Sequence, residues 1–246
     1  MNSSILAKNL ILDYPLVGVS SKSIRKSVIN KLVGGRLFPN DKPIIRAIDN
    51  ISFSIDAGSK VGIIGNNGAG KSTLLKLISS TYEPTSGIIK CDGSVISNLG
   101  MSVGLEPEAT GYENIKIRCL LHGLIGRELD DTVAEVAEFT ELKNYLTIPI
   151  KYYSTGMASR LSFSVITSLK ADILLMDELI GTGDKNFIDK ANKRLHNFLD
   201  RSKTLVMASH STDILRKLCT HGMLLDNGKI VHMGEIEETL KVYSGI

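Results

Sequence analysis

The nonapeptide GNNGAGKST, residues 65–73, constrains this chain more than any other stretch. It follows the apolar run VGII directly and opens LLKLISS, whose apolar residues recur at helical spacing. Strand, glycine-rich turn and helix in that order is the context of a phosphate-binding P-loop. Gly65, Gly68 and Gly70, with Asn66, Asn67 and Ala69 between them, let backbone N–H groups wrap a β-phosphate. The helix N-terminus adds its positive end. Lys71 then reaches the β- and γ-phosphates, Ser72 supplies an oxygen to Mg²⁺, and Thr73 closes the motif. A glycine-rich turn that merely caps a helix is the competing reading. The length of the match and the agreement of both flanks weigh against it.

Two further stretches gain meaning behind a P-loop. ILLMDE, residues 173–178, is four apolar residues and then two carboxylates. A buried strand delivers Asp177 at its C-terminal end, where the ligand edge of a parallel sheet lies, and Asp177 is the second expected Mg²⁺ ligand. Glu178, one residue on, is placed to orient and polarise an attacking water. YSTGM, residues 153–157, puts Ser154, Thr155 and Gly156 at the mouth of an apolar helix. By itself that is an N-cap. In an ATPase that closes a head-to-tail dimer over nucleotide, the same backbone N–H groups and hydroxyl cap a γ-phosphate bound by the other subunit. P-loop kinases and GTPases have no need of such a second helix start.

Bulk properties narrow the class. The 246 residues suffice for one domain with an attached subdomain, and 43% hydrophobic with 22% charged residues is globular. A net charge of +3 is too small to indicate nucleic acid, and none is expected as a partner. Its distribution says more. Residues 16–46 carry Lys22, Arg25, Lys26, Lys31, Arg36, Lys42 and Arg46 against Asp41 alone, whereas residues 105–141 carry nine acids and three bases. The basic segment suits anionic lipid or a phosphorylated ligand, or it is a solvated face. Cys91, Cys119 and Cys219 lie far apart with no CxxC pair, which speaks against a disulfide framework or a zinc site and fits a reducing cytoplasm. No apolar run approaches the ~20 residues that span a bilayer, and the N-terminus lacks a signal peptide. The chain is expected to be soluble unless a partner holds it at a membrane.

Along the chain, SILAKNLILDY predicts a strand and SSKSIRKSVINKLV a short basic amphipathic helix. RAIDNISFSIDAG alternates like a strand with one slip in spacing, and SGIIKCDGSVISNL predicts a hairpin around Asp92-Gly93. Residues 111–145 turn helical and acidic, followed by a helix at 156–169 and the strand ADILLMD. Helix 185–201, strand KTLVMAS, helix 211–218, strands GMLLD and KIVHMG and a closing helix complete the pattern. The alternation predicts a parallel α/β sheet with helices on both faces.

Taken together, these residues resemble the nucleotide-binding subunit of ABC transporters. GNNGAGKST looks like its Walker A motif, STGM a variant signature motif, ILLMDE the Walker B motif, and GTGD, residues 181–184, the D-loop with Asp184 near a dimer seam. His210 in MASHS matches the switch histidine that senses the γ-phosphate; outside that context it is an ordinary surface or cap residue. Tyr14 matches the ring that stacks on adenine, its alternative being a strand-end core tyrosine. YSTGMxxRL, the string from Asp177 to Asp184, EATGYENI and GIIGNNGAGKSTLLK are similar to the branch that exports O-antigen, capsule or teichoic-acid polysaccharides, O-antigen foremost.

The resemblance covers essentially the full chain and implies an α/β fold with a RecA-like core, an antiparallel β subdomain and an inserted α-helical subdomain. Residues 1–246 are expected to be a single nucleotide-binding domain. The helical subdomain falls at about 105–155 and a basic insertion at about 15–46, with no appended C-terminal carbohydrate-binding domain. It further implies an ATP hydrolase using ATP and Mg²⁺, with Glu178, His210 and Lys71 catalytic. Two copies would form a homodimer across two ATP molecules and drive an integral membrane permease that moves a lipid-linked polysaccharide. Its place would be the cytoplasmic face of the bacterial inner membrane. One departure stands out: the family's Mg²⁺-contacting glutamine has no counterpart, since the chain contains no glutamine. Glu106 is the nearby side chain of comparable reach and the substitute candidate for that metal contact. A soluble ABC ATPase of DNA repair or translation shares these motifs but usually carries a coiled-coil insertion or a second cassette.

Overall fold

The computed structural model describes residues 3–15, 36–38, 44–98, 105–177 and 185–245. The chain divides into two compact units. One comprises Met1–Ser97, Asp172–Glu178 and Lys203–Ile246, and the other Asn98–Ala171 and Leu179–Ser202.

The first unit is built on two sheets. In the four-stranded sheet the order is β2 (Arg36–Phe38), β3 (Ile44–Asp56), β1 (Ser3–Pro15) and β5 (Ser86–Cys91), all neighbours antiparallel. The slip in the β3 alternation has a physical origin. Leu10 pairs with Ile51 but Leu12 pairs with Ile48, a bulge at which Asn50 adopts φ 53°. The extra residue keeps both Ile48 and Ile51 buried in spite of the broken period of two. Arg46 on β3 clamps β1 by donating Nε and Nη2 to the two Asp13 carboxylate oxygens at 2.8 and 2.9 Å. That basic residue of the 16–46 segment is therefore occupied in structure. The predicted basic helix and Lys22, Arg25, Lys26, Lys31 and Lys42 lie outside the described residues.

The six-stranded sheet runs β10 (Lys229–Glu235), β9 (His221–Asp226), β4 (Lys60–Ile64), β8 (Thr204–Ala208), β7 (Ile173–Asp177) and β6 (Val95–Asn98). β9, β4, β8 and β7 are parallel, and β10 returns antiparallel. β4, β7 and β8 are buried almost without interruption, as strands covered on both faces must be. Among the described residues three helices belong to this unit: α1 (Lys71–Ile78), α6 (Thr212–Leu218) and α7 (Ile236–Ser244). α1 inserts Leu74, Leu75, Leu77 and Ile78 into the core.

The expected hairpin at Asp92-Gly93 does not form. β5 pairs with β1, while β6 crosses to the edge of the other sheet. Gly93 takes φ 110°, and Ser94 donates both its N–H and its Oγ–H to Asp172 Oδ2 at 3.0 Å. Lys203 holds the other Asp172 oxygen at 2.9 Å, and this hydrogen-bonded pairing together with Ser94 pulls the Asp172 carboxyl down to about 2. An anchor 78 residues away decides the chain's path. The true tight hairpin joins β9 and β10 through Asn227-Gly228, both at positive φ, 46° and 77°, as a two-residue primed turn requires.

The second unit is helical: α2 (Gly111–Leu121), α3 (Gly126–Thr140), α4 (Thr155–Ser168) and α5 (Lys185–Arg201), with 3₁₀ turns at Lys143–Thr147 and Ile150–Tyr152. It contains the segment 105–155 and extends beyond it through α4 and α5. Its core centres on Phe163, Phe187 and Ala191, with Phe139 and Leu195 against them. α2 begins in a capping box, in which Thr110 accepts from Glu113 N–H while the Glu113 carboxylate accepts from Thr110 N–H.

Candidate nucleotide site

The P-loop lies between β4 and α1, as its flanks dictate. Gly70 is the N-cap of α1 at φ 107°, and a Cβ there would sit 2.8 Å from the Ala47 carbonyl oxygen. At Gly65 a Cβ would collide with the Leu225 carbonyl, so both glycines are required by backbone approaching backbone. Lys71 is 7% exposed, and its ammonium donates to the carbonyls of Gly65 at 2.7 Å and Asn66 at 3.1 Å. Those two bonds curl the loop around the lysine head. Ala69 N–H donates to Asn66 O at 3.1 Å and closes the turn, while Asn66 and Asn67 are exposed at its rim. Ser72 is exposed, Gly68 takes φ 81°, and Thr73 is half-buried in the first turn of α1.

Sheet topology gathers Asp177 and His210, two further candidates of the first unit, at the same edge. β4, β8 and β7 are adjacent and parallel, and Ile63, Ala208 and Asp177 stand level across them. Two strand spacings therefore separate Asp177 from Ile63, about 10 Å of backbone. The P-loop leaves β4 two residues past Ile63, and the exposed His210 leaves β8 two residues past Ala208. C-terminal ends of neighbouring parallel strands form the crevice where such sheets bind ligands. Asp177 is half-buried there. Ser72 and Asp177, one hydroxyl and one carboxylate, fit a Mg²⁺ that keeps waters and takes phosphate oxygens, since this ion needs no all-protein cage. No cluster of three or more His, Cys, Asp or Glu able to hold a metal occurs among the described residues.

Tyr14 stands at the end of β1, half-buried, one residue after the Asp13 that Arg46 clamps. Its ring meets Tyr82 edge-on at 6.0 Å between centroids, and Lys76 of α1 lies over the Tyr82 ring at 5.2 Å. Sequence reasoning missed Tyr82. It also missed the turn that supports the P-loop: Gly228 N–H donates to Ala69 O at 3.0 Å, and Asp49 N–H donates to Gly228 O at 2.9 Å. The Asn-Gly pair was the available signal. Nothing local marked Tyr243 of α7, whose hydroxyl donates to Asn66 Oδ1 at 3.3 Å.

The signature candidates belong to the second unit. Ser154 is the N-cap of α4, its Oγ accepting from Met157 N–H at 3.2 Å, so the capping role is realised. The first turn of a helix leaves the N–H groups of Thr155 and Gly156 without intrahelical acceptors. Among the described residues a Cβ on Gly156 would meet only Ser154 Oγ, at 3.9 Å. Glu106 also lies in this unit. Its N–H donates to Asn114 Oδ1 at 2.7 Å, and Asn114 Nδ2 donates back to the carbonyls of Glu106, Ala109 and Thr110. Asn114 is fully buried, and it knots the loop that carries Glu106, whose carboxylate accepts from Glu108 N–H at 3.4 Å. Glu178 and Asp184 lie outside the described residues.

Residues 48–181 match the ABC transporter family. Over 230 residues the chain is 40% identical to the O-antigen export system ATP-binding protein RfbE of Yersinia enterocolitica, covering 93% of this chain and 96% of that one. It is 37% identical over 224 residues to the teichoic acids export ATP-binding protein TagH of Lactococcus lactis, covering 91% of this chain and 47% of that longer protein. Among solved structures, the dimeric post-hydrolysis state of the ATP-binding cassette MJ0796 bound to ADP and Pi superposes with a TM-score of 0.69 at 19% identity, over 94% of this chain and 98% of that one.

Proposed function

Because the chain belongs to the ABC transporter family, we propose that it is the ATPase subunit that powers export of a lipid-linked polysaccharide, O-antigen-like, through a separate membrane permease. The cargo rests on the likeness to RfbE and TagH, both export ATP-binding proteins for surface polymers. No described helix is long and apolar enough to cross a membrane, so a permease has to supply the path. Its docking places the subunit on the cytoplasmic face of the bacterial inner membrane. Leu121, Ile125 and Tyr152 of the helical unit, exposed by 77%, 75% and 68%, are apolar surface suited to such a partner.

In this reading two copies close head to tail on two ATP molecules, each held by the P-loop of one copy and by Ser154–Gly156 of the other. The observation that carries the sandwich is Gly156. Glycine in a helix interior costs roughly 0.5–1 kcal/mol against alanine and at most that in the first turn, and among the described residues nothing crowds the position. A γ-phosphate approaching from outside gives the missing reason. Lys71 and the α4 N-terminus neutralise charge on the transferred phosphoryl group, and His210 hydrogen-bonds it. Glu178 positions the attacking water and accepts its proton. Mg²⁺, held by Ser72 and Asp177, supplies charge neutralisation at the phosphate oxygens when bound. Glu106 is retained as the candidate substitute for the absent glutamine.

Tyr14 stacks on adenine, and Tyr82 holds its ring. Tyr82→Ala removes an edge-to-face contact worth about 0.5–1.5 kcal/mol. We expect a rise in the KM for ATP of about twofold to tenfold, with kcat unchanged, measured by steady-state phosphate release. The function itself is tested in the native cell by replacing Glu178 with Gln and assaying surface polysaccharide beside lipid-linked polymer at the inner membrane. Loss outside with accumulation inside is the expected result. Unchanged surface polymer would remove the cargo assignment.

A further inference from the structure

We infer that the helical unit carries a second anion site, a cationic cavity formed by α3, α4 and α5 that takes a phosphate-bearing ligand. The cavity holds about 350 Å³, within the range of small-molecule sites. Four cations line it, Lys190, Lys193, Arg194 and Arg201, against the single carboxylate of Glu135. On α5 these four fall at i, i+3, i+4 and i+11, which places them along one stripe of the helix.

The cations do different work. Arg194 is fixed from three sides: Nη1 pairs with Glu135 at 2.9 Å, Nε donates to Thr167 Oγ1 at 2.8 Å, and the guanidinium lies 4.0 Å over the Phe139 ring. Lys190 is held by Glu141 at 2.6 Å and also sits over Phe139. Glu135 and Glu141 are thus engaged by these two. Lys193 and Arg201 are exposed, and neither makes an ion pair among the described residues. Desolvation and the nearby positive charge of Arg201 press the Arg194 pKa downward, although Glu135 opposes both. Like charges crowded at a concave wall repel one another. A multivalent anion relieves that repulsion, and guanidinium and ammonium donors suit phosphate oxygens. A solvated helix face needs neither the concavity nor the rigid arginine.

A soluble phosphate compound and an anionic lipid headgroup share this chemistry, and one experiment separates them. The probe is inorganic pyrophosphate, titrated calorimetrically into the full chain with the P-loop saturated by ADP. K193A/R201A alters only exposed side chains away from the nucleotide residues. It should weaken pyrophosphate binding by about tenfold or more and leave the ATPase kcat and KM unchanged. A parallel arm sediments wild type and variant with phosphatidylglycerol vesicles. Co-sedimentation lost in the variant assigns the site to headgroups. Wild type left in the supernatant, with pyrophosphate binding still dependent on the two residues, assigns it to a soluble phosphate. Absence of pyrophosphate binding by the ADP-saturated wild type, or equal affinity in the variant, overturns the site.

Discussion

Lys71→Ala is expected to lower ATP turnover by about a thousandfold or more, the scale on which a preorganised charge at a phosphoryl or oxyanion centre acts. The geometry explains why so much rests on one side chain. The ammonium is enclosed by its own loop, donating to Gly65 O and Asn66 O, which holds it beside the phosphate-wrapping backbone. Lys71→Arg should fare little better, because a planar guanidinium does not fit a site where lysine is only 7% exposed. Phosphate release under saturating ATP measures both variants. Activity within tenfold of wild type for Lys71→Ala would remove the lysine from the phosphate site.

Gly156→Asp separates the needs of the monomer from those of the closed dimer, because the two effects have opposite signs. Gly156 sits in the first turn of α4, where an acid interacts favourably with the helix dipole by about 0.3–1 kcal/mol. Replacing glycine also removes its entropic cost in a helix. With no described group nearer than Ser154 Oγ at 3.9 Å, the variant monomer should melt at an unchanged or slightly higher temperature. Its ATPase activity should fall by about a hundredfold to a thousandfold, since a carboxylate would face the γ-phosphate held by the other copy. A monomer that melts lower, with hydrolysis intact, would make Gly156 a packing residue and no more.

How far the sequence could be read depends on how local each determinant is. The P-loop, the buried parallel strands and the helices at 155–168, one residue from the predicted 156–169, and 185–201 follow from neighbouring residues, and they were legible. The slip between Ile48 and Ile51 was visible as a defect, but its meaning came from the opposite strand, where Leu10 and Leu12 set the register. The Asp92-Gly93 turn misled because its partner Asp172 is remote in sequence, while the true hairpin at Asn227-Gly228 has the commoner turn chemistry. In the site, the residues proposed to bear on phosphate are marked by motif. Those that hold them are not: Gly228 against the P-loop, Tyr82 against Tyr14, and Asn114 under Glu106 act through contacts that no spacing announces. The cationic cavity shows the same limit, since its residues come from three helices and only the α5 stripe is periodic.

The head-to-tail sandwich is tested most directly by sedimentation of Glu178→Gln with and without saturating Mg-ATP. Removing the carboxylate proposed to position water should block turnover while leaving the nucleotide's charges and the α4 N-terminus in place. We expect a monomer without nucleotide, a stable dimer with Mg-ATP, and a return to monomer when Gly156→Asp is added. A Glu178→Gln protein that binds Mg-ATP to saturation and stays monomeric would contradict the account.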